Sequence, residues 1–298
     1  MEILLFIFPL LSFLLFQFFN QKIRSEILYA INIFLFGLSF LLSLYIFIKI
    51  LNLDNDLPLF FYSLIKLENL FIDWKLRFDL LVSGLAVLVT FIGLLITLYS
   101  INLSKNNVIN FQINSYLPLS IFGLLVLISS NNLIQFFLGW YIIILSSYFI
   151  SNVSENKAGI RNVFFENRIS DLCFFLSLYF VYTFSNSINF DVIFKSFQII
   201  ESKITILNKT FSGFQIVIFI LFFSFLLRFR QFYISDSRYD LLKFDSSLYS
   251  LILYGLYFPV GLYFVLRFLT LTHISLDYSH IILILGSILS FIFLFLLF

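Results

Sequence analysis

Three charged side chains stand close together inside a segment that is otherwise apolar. Glu166, Arg168 and Asp171 occur within six residues, and long apolar runs precede and follow them. An ion buried in a membrane is costly unless it is paired or hydrated, so such residues are candidates for a functional site. Arg168 and Asp171 are three residues apart, which places them on one helical face where they can pair. The pattern fits either a functional site within a membrane or a purely structural ion pair.

The composition places these charges in a membrane protein. Hydrophobic residues make up 61% of the chain and charged residues 11%, and the mean hydropathy is +1.04. A soluble domain carries about 25% charged residues, so this chain has too few to cover a water-exposed surface. Because the apolar runs are long and strand-like alternation is absent from them, the sequence predicts membrane helices and not barrel strands.

Few residues here are suited to metal or redox chemistry. Cys173 is the single cysteine and lies in an apolar run, where a small apolar filler is the simplest interpretation. His273 and His280 have no cysteine or carboxylate partner at ligand spacing, so no metal site is predicted. We expect no cofactor in this chain. The net charge of +2, without a basic cluster, gives no indication of nucleic-acid binding.

Nine apolar segments have the length of about 20 residues that a helix needs to cross a bilayer core. They run about 3–19, 27–51, 79–103, 113–130, 133–152, 163–185, 211–232, 248–269 and 279–298. A polar loop is predicted at 52–78 and an amphipathic interfacial segment at 189–200. The predicted fold class is therefore all-α, a polytopic membrane helix bundle of about nine transmembrane helices.

Basic residues in short loops set the predicted orientation. The basic side collects Lys22, Arg24, Lys105, Lys157, Arg161, Arg238 and Lys243. The positive-inside rule places these loops in the matrix or cytoplasm, so the N terminus is predicted on the opposite side. A hydrophobic segment follows Met1 without a small-residue cleavage pattern, so no removable leader is predicted.

A dense group of charges interrupts the apolar sequence at 228–245. It consists of Arg228, Arg230, Asp236, Arg238, Asp240, Lys243 and Asp245. Charge pattern alone favours a solvated loop between two ordinary helices. The alternative is a helix broken inside the membrane, whose freed backbone groups face water or protein. Pro259 lies in the following span and would kink that helix, because it lacks a backbone donor.

Two groups of residues match, in order, the motifs of a known family. They are Gly139, Trp140, Ser147 and Tyr148, followed by Asn167, Arg168 and Asp171. This pattern resembles the antiporter-like subunits of respiratory complex I, and most closely the NADH dehydrogenase subunit 5 family. That family carries Gly-Trp-Glu and a Ser-Tyr pair on its fifth helix, and Asn-Arg-x-Gly-Asp on the next helix. Here Ser170 replaces the glycine.

Further matches to this family extend over about 79–268. They are Phe78, Asp79, Tyr99, Ser100, Asn131, Asn132, Gln135, Phe136, Gln231, Phe232, Asp240, Ser250, Gly261, Tyr263 and Arg267. Asp240 falls where an aspartate follows the family's broken seventh helix, so the resemblance favours a broken helix near 228–240. It implies leading transmembrane helices over 1–112, the first antiporter-like five-helix repeat over 113–269, and a terminal helix over 270–298. The terminal helix would begin a second repeat that another chain completes, as in a split subunit.

In that family a glutamate, a lysine and a histidine on the fifth, seventh and eighth helices form part of a hydrated proton path. The residues at those positions here are Tyr141, Arg228 and Leu253. Tyrosine titrates near pH 10, arginine effectively keeps its proton and leucine does not titrate, whereas a relay needs groups that titrate near working pH. The resemblance therefore implies an impaired or altered half-channel. The proton-path candidates are Glu166, Arg168, Asp171, Arg228, Asp240 and Tyr141.

The function implied by the resemblance is that of a membrane-arm subunit of proton-pumping NADH:ubiquinone oxidoreductase, without redox chemistry of its own. A mainly scaffolding role is the preferred hypothesis. The alternatives are proton conduction through a rewired path, and an independent ion transporter of the same superfamily. The implied partners are the other membrane-arm subunits, a separate chain supplying the second repeat, and lipids, but not nucleic acid. The implied location is the mitochondrial inner membrane, with the N terminus in the intermembrane space, and the residue bias is typical of an A+T-rich organellar gene.

Overall fold

The computed structural model describes residues 2–19, 25–53, 57–67, 70–104, 108–152, 157–193, 203–206 and 209–212, with single positions at 220, 221, 224, 259, 261, 263, 264, 266 and 267. The named elements are six helices and two antiparallel hairpins. They are α1 Leu4–Phe19, α2 Ser25–Leu53, β1 Leu57–Leu67, β2 Leu70–Phe78, α3 Leu80–Ser104, α4 Val108–Ile128, α5 Leu133–Asn152, α6 Lys157–Ser185, β3 Lys203–Ile206 and β4 Lys209–Ser212.

Three helices in the described part of the chain are long and apolar enough to cross a membrane. They are Ser25–Asn52, Leu80–Ile101 and Leu133–Ile150, and the shorter apolar helices are Leu4–Phe19 and Asn114–Ile128. The first six predicted spans coincide in position with the helices α1 to α6, although α6 begins earlier than predicted, at Lys157, and is not among the five apolar helices of the described part of the chain. The predicted spans at 248–269 and 279–298 and the broken helix near 228–240 fall mostly or wholly outside the described residues, so the number of nine spans stays a prediction.

Within the predicted loop 52–78, residues 57–67 and 70–78 are paired β-strands and not the loop that the mixed charges suggested. β1 and β2 pair antiparallel from Leu57 opposite Phe78 to Leu67 opposite Leu70. Along β2, Ile72, Trp74, Leu76 and Phe78 alternate with Asp73, Lys75 and Arg77. This period of two is the pattern of a half-buried strand, and the expectation of an all-α fold was wrong here.

A second correction concerns the residues that follow α6. The interfacial segment expected at 189–200 begins with a β-bridge between Asn189 and Asn132 and is helical at 190–193, whereas residues 194–200 lie outside the described residues. Farther along, β3 pairs antiparallel with β4. The span expected at 211–232 therefore begins inside a strand, and within it the residues 220, 221 and 224 are described as helical.

Buried polar contacts join the first three helices. Ser12 Oγ donates to Asn32 Oδ1 between α1 and α2. A hydrogen bond of 2.9 Å joins Ser43 Oγ on α2 to Thr90 Oγ1 on α3. All four side chains are buried. In a membrane such bonds contribute to helix association, because lipid cannot satisfy the polar groups if the helices separate.

The bundle has one end that is built from several elements, which we call the hairpin end. It comprises β1–β2, the α4–α5 connection at 129–132 and the residues 186–193 after α6. The backbone nitrogen of Arg77 donates to the carbonyl of Ser129 at 2.9 Å, and that of Phe190 to the carbonyl of Asn131 at 3.0 Å.

α4 and α5 approach each other through two glycines. A Cβ atom at Gly139 would lie 2.5 Å from the backbone nitrogen of Leu127 and 2.7 Å from its Cα. A Cβ atom at Gly123 would lie 3.1 Å from the carbonyl oxygen of Gly139. Small residues at such positions let two membrane helices pack backbone against backbone. Gly139, noted in the sequence as part of a motif, therefore has a packing role.

We expect Gly139→Ala to destabilise the bundle, because the added methyl group meets the backbone of Leu127 and not a flexible side chain. Overpacking of this kind costs about 1–3 kcal/mol. The matched control is Gly37→Ala, whose Cβ would have its nearest contact at 4.0 Å, with Leu94 Cδ1. Thermal denaturation of the detergent-solubilised protein should show a lower midpoint for the first variant alone. Equal midpoints for the two variants would contradict the close approach.

Candidate functional site

Three of the six predicted site residues have described side chains, and the structure brings these three together. Tyr141 on α5 faces Arg168 on α6, and Arg168 pairs with Asp171 one turn further on. We call these three residues the mid-membrane cluster, after the position that the sequence predicts for them. Glu166 belongs to α6, but its side chain, like the residues Arg228 and Asp240, lies outside what the structure describes.

The ion pair that the spacing predicted is formed. Arg168 Nη2 lies 3.1 Å from Asp171 Oδ2. The Asp171 side chain is 6% exposed, whereas that of Arg168 is 36% exposed in the described part of the chain. Asp171 is the middle residue of the 29-residue helix α6, roughly 21 Å from either end at a rise of about 1.5 Å per residue. The carboxylate is thus deep in the bundle, where the arginine offsets the cost of burying it.

Tyr141 contacts the other side of the arginine. The Arg168 guanidinium carbon lies 5.7 Å from the centroid of the Tyr141 ring. At this distance the face of an aromatic ring attracts a cation. The resemblance found in the sequence predicts that Tyr141 takes the place of a glutamate, and in the structure this position contacts the arginine through a ring face. The arrangement thus places one positive charge, one negative charge and an aromatic ring in direct contact.

Ser170 links α6 to the next part of the chain. Its hydroxyl donates to the backbone carbonyl of Ser224 at 2.8 Å, and both side chains are buried. The sequence had marked Ser170 only as a replacement for a glycine. Ser224 precedes Arg228 by four residues in the sequence. The hydrogen bond therefore fixes α6 against a segment that leads directly to the predicted broken helix.

A second charged group lies at the hairpin end, and sequence reasoning did not predict it as a site. Asp79 Oδ2 accepts a hydrogen bond from Arg267 Nη1 and lies 3.5 Å from Arg77 Nε. Arg77 Nη1 in turn donates to Asp191 Oδ1 at 2.6 Å. We call these four residues the hairpin-end cluster. Its two arginines balance its two aspartates, which is the condition for burying them.

The side chains of the hairpin-end cluster differ in their exposure. The side chain of Asp191 is 54% exposed, that of Asp79 13% and that of Arg267 9%. Asp79 also caps α3, since its Oδ1 accepts from the backbone nitrogen of Val82 at 2.9 Å. An aspartate just before an apolar helix is a recognisable start signal. Its pairing with a residue 188 positions away is not visible in any sequence pattern.

The described residues contain no group of three or more His, Cys, Asp or Glu side chains placed to hold a metal ion. Cys173 is partly exposed on α6 and forms no disulfide. The histidines lie outside the described part of the chain. The expected lack of a metal and a cofactor therefore stays a prediction.

Comparison with known protein families finds two matches. The family described as "NADH:quinone oxidoreductase/Mrp antiporter, TM" matches residues 130–296. The family described as "NADH-Ubiquinone oxidoreductase (complex I), chain 5 N-terminus" matches residues 64–102. The first match contains the mid-membrane cluster, and the second contains Arg77 and Asp79.

Curated relatives agree with this assignment. NADH-ubiquinone oxidoreductase chain 5 of Chondrus crispus is 30% identical over 193 residues, which are 63% of this chain and 28% of the relative. NADH-quinone oxidoreductase subunit L of Rickettsia typhi is 28% identical over 68% of this chain and 32% of the relative. Chain 5 of Acanthamoeba castellanii is 29% identical over 72% of this chain and 32% of the relative. The chain thus spans about a third of the length of these relatives.

A solved structure shares the fold. A chain of the membrane-bound sulfane sulfur reductase, an archaeal respiratory membrane complex, superposes with a TM-score of 0.54 over 87% of this chain and 40% of that chain, at 18% identity. This likeness concerns the fold alone. The family match over 130–296 covers more than half of the chain and confirms the resemblance to subunit 5 of complex I. This protein belongs to the NADH:quinone oxidoreductase/Mrp antiporter family of transmembrane subunits.

Proposed function

We propose that this chain is a membrane-arm subunit of proton-pumping NADH:ubiquinone oxidoreductase and that it serves mainly as a scaffold with an impaired or altered proton half-channel. The observation that carries the proposal is the mid-membrane cluster. In a chain of this family, Tyr141 occupies the position of a glutamate and its ring contacts Arg168. The enzyme activity belongs to the assembled complex, and this chain contributes no redox chemistry or cofactor.

Charge balance in the mid-membrane cluster supports the scaffolding role. Arg168 carries one positive charge and Asp171 one negative charge, so the described pair is neutral. A proton added to Asp171 would leave the arginine without its counter-ion in a region of low dielectric, which is unfavourable. A glutamate at position 141 would instead give the cluster a net negative charge that one proton could neutralise. With Tyr141 in that place, the pair favours a fixed structure over proton exchange.

A conducting role is the second candidate, and the depth of Asp171 favours it. The carboxylate lies at the middle of α6, where a proton path across the membrane would pass. In this version the pair with Arg168 opens during turnover, and Glu166, Arg228 and Asp240 supply the further steps. These three residues stay proton-path predictions.

The proposed location is the mitochondrial inner membrane, with the N terminus on the intermembrane-space side and an organelle-encoded gene. The proposed partners are other membrane-arm subunits and lipids. Residues 113–269 are proposed as the first antiporter-like repeat, after the leading helices of 1–112 and before the terminal helix of 270–298. The boundary near 112 falls within α4, so the leading helices and the repeat share an element. That a separate chain supplies the second repeat stays a prediction.

We expect this chain to co-migrate with NADH-oxidising activity in a very large complex on native gels of solubilised inner membranes. Mass spectrometry of the active band should find its peptides together with those of other membrane-arm subunits. The same spectrum would identify a chain that carries the second repeat. Migration as a small free species would refute the subunit assignment and favour an independent ion transporter.

For Asp171→Asn we expect an unchanged ratio of protons pumped to electrons transferred, because the scaffold does not pass protons through this residue. The amount of assembled complex should fall, since Arg168 loses its partner. Breaking a buried pair costs about 3–5 kcal/mol, and less here because Arg168 is 36% exposed.

The matched control is Asp191→Asn, which removes a carboxylate that is 54% exposed at the hairpin end. It should leave both the ratio and the amount of complex close to wild type. Proton pumping and NADH oxidation are measured on the same vesicles, normalised to assembled complex. A clear loss of the proton-to-electron ratio in fully assembled Asp171→Asn complex would exclude the scaffolding role and establish the conducting one.

We expect Ser170→Ala to lower the stability of the chain in the complex more than Ser177→Ala. Both hydroxyls are buried on α6, but Ser170 bonds to the carbonyl of Ser224, whereas Ser177 bonds to Phe174 of its own helix at 2.6 Å. The loss of a net hydrogen bond between elements amounts to about 1 kcal/mol. Thermal release of the chain from solubilised complex measures the difference. Identical release curves would show that the link to Ser224 contributes nothing.

A further inference from the structure

We propose that Arg267 is a positioning residue that couples the hairpin-end cluster to the mid-membrane cluster. It would hold the helical positions described between 259 and 267, and aromatic side chains packed in series would transmit that position to Tyr141 and Arg168. The proposal rests on the packing within this chain and goes beyond its function as a subunit. It applies whether or not protons pass through the chain.

Arg267 contacts two other parts of the chain. Its Nη1 donates to Asp79 at the start of α3, and its guanidinium carbon lies 5.9 Å from the centroid of the Phe190 ring, just beyond α6. The side chain is 9% exposed. A planar guanidinium that meets a carboxylate and an aromatic ring is fixed in both position and orientation. Arg267 therefore anchors its own segment to α3 and to the residues that follow α6.

Tyr263 connects this anchor to α5. It precedes Arg267 by four residues, and both positions are helical, so the two side chains lie on one helical face. Tyr263 is fully buried, and its ring stacks on Phe136 with centroids 6.3 Å apart and planes 23° apart. Phe264 contacts the same ring at 6.5 Å. The position of Arg267 thus determines where the rings of Tyr263 and Phe264 contact Phe136.

Stacked rings continue from Phe136 to the mid-membrane cluster. Phe136 stacks on Phe174 of α6 at 6.1 Å, and Phe174 stacks on Phe137 of α5 at 5.3 Å. Phe137 contacts Tyr141 at 6.1 Å, and Tyr141 lies beneath Arg168. We call this series of five rings the aromatic chain: Tyr263, Phe136, Phe174, Phe137 and Tyr141. It runs from the residue one helical turn before Arg267 to the ring that contacts Arg168.

Close packing gives the aromatic chain a physical means of transmission. Protein interiors are packed at crystal-like density, so a large ring cannot shift without moving its neighbours. Offset stacking also prefers particular ring orientations, which makes each contact sensitive to the one before it. Contiguity alone does not prove coupling between two sites, and a demonstrated energetic dependence is required. The test must therefore show that the effect at one end depends on the rings between.

Cys173 provides a probe at the far end of the aromatic chain. It is the single cysteine of the sequence, is partly exposed on α6 and lies between Asp171 and Phe174. Its alkylation rate by a small maleimide in the native complex can be followed by mass spectrometry of its peptide. For Arg267→Gln we expect the rate to rise about threefold or more, because α6 loosens against α5. Arg77 stays near Asp79 in this variant, so the carboxylate keeps a counter-ion.

Three comparisons separate positioning from general loss of structure. Arg267→Lys keeps a cation for Asp79, so the alkylation rate of Cys173 in this variant should stay near the wild-type value. Asp191→Asn removes a charge from the same cluster without touching Arg267 and should leave the rate unchanged. In a Phe136→Leu background, which interrupts the aromatic chain, Arg267→Gln should cause no further increase.

An unchanged or lower alkylation rate of Cys173 in Arg267→Gln would overturn the proposal. It would also be overturned if Arg267→Gln raised this rate equally with and without Phe136→Leu. If Arg267→Gln does not assemble, Tyr263→Leu serves as the second variant, since it breaks the first stacking contact and alters no charge. A threefold rise is expected there too, and an unchanged rate would overturn the proposal. The readout needs neither NADH oxidation nor proton pumping, so its failure is distinguishable from failure of the proposed subunit function.

Discussion

Compensation of charge inside an apolar bundle is the constraint on which this structure depends. Lipid cannot hydrate an ion, so each buried charge must find a partner before the helices can pack around it. Asp171 meets Arg168 within one turn of a helix, whereas Asp79 meets Arg267 from the far part of the sequence. The first pair lies within one helix. The second pair joins the start of α3 to residues near the end of the described part of the chain.

The fold was predictable where a signal is local and strong. Length and hydropathy alone placed α1 to α6, because an apolar run of about 20 residues has few other stable conformations. The β1–β2 hairpin was missed although β2 alternates between apolar and charged residues. Its partner strand, from Leu57 to Leu67, is almost continuously apolar, so the segment as a whole shows no clean period of two. Only the β2 half carries the period of two that indicates a strand.

The site was predictable to the same extent and for the same reason. The Arg168–Asp171 pair follows from a spacing of three residues, which any α-helix converts into proximity. The contact of Arg168 with Tyr141 joins two helices. It depends on how α5 packs on α6, which the spacing of residues in the sequence does not determine. The partnership of Asp79 and Arg267 was even less accessible. Both residues were noted as matches to a family, yet only their placement in three dimensions reveals that they meet.

The two charged clusters are alike in one respect that bears on mechanism. Among the described side chains, each has as many arginines as aspartates, so each is neutral when fully ionised. A group that takes up protons benefits from an excess of negative charge, which protonation relieves; a neutral pair gains nothing and loses its attraction. Tyr141 contacts Arg168 without adding a negative charge to that pair. The charge balance of both clusters is therefore suited to holding helices in register, which is the physical basis of the scaffolding role that we propose.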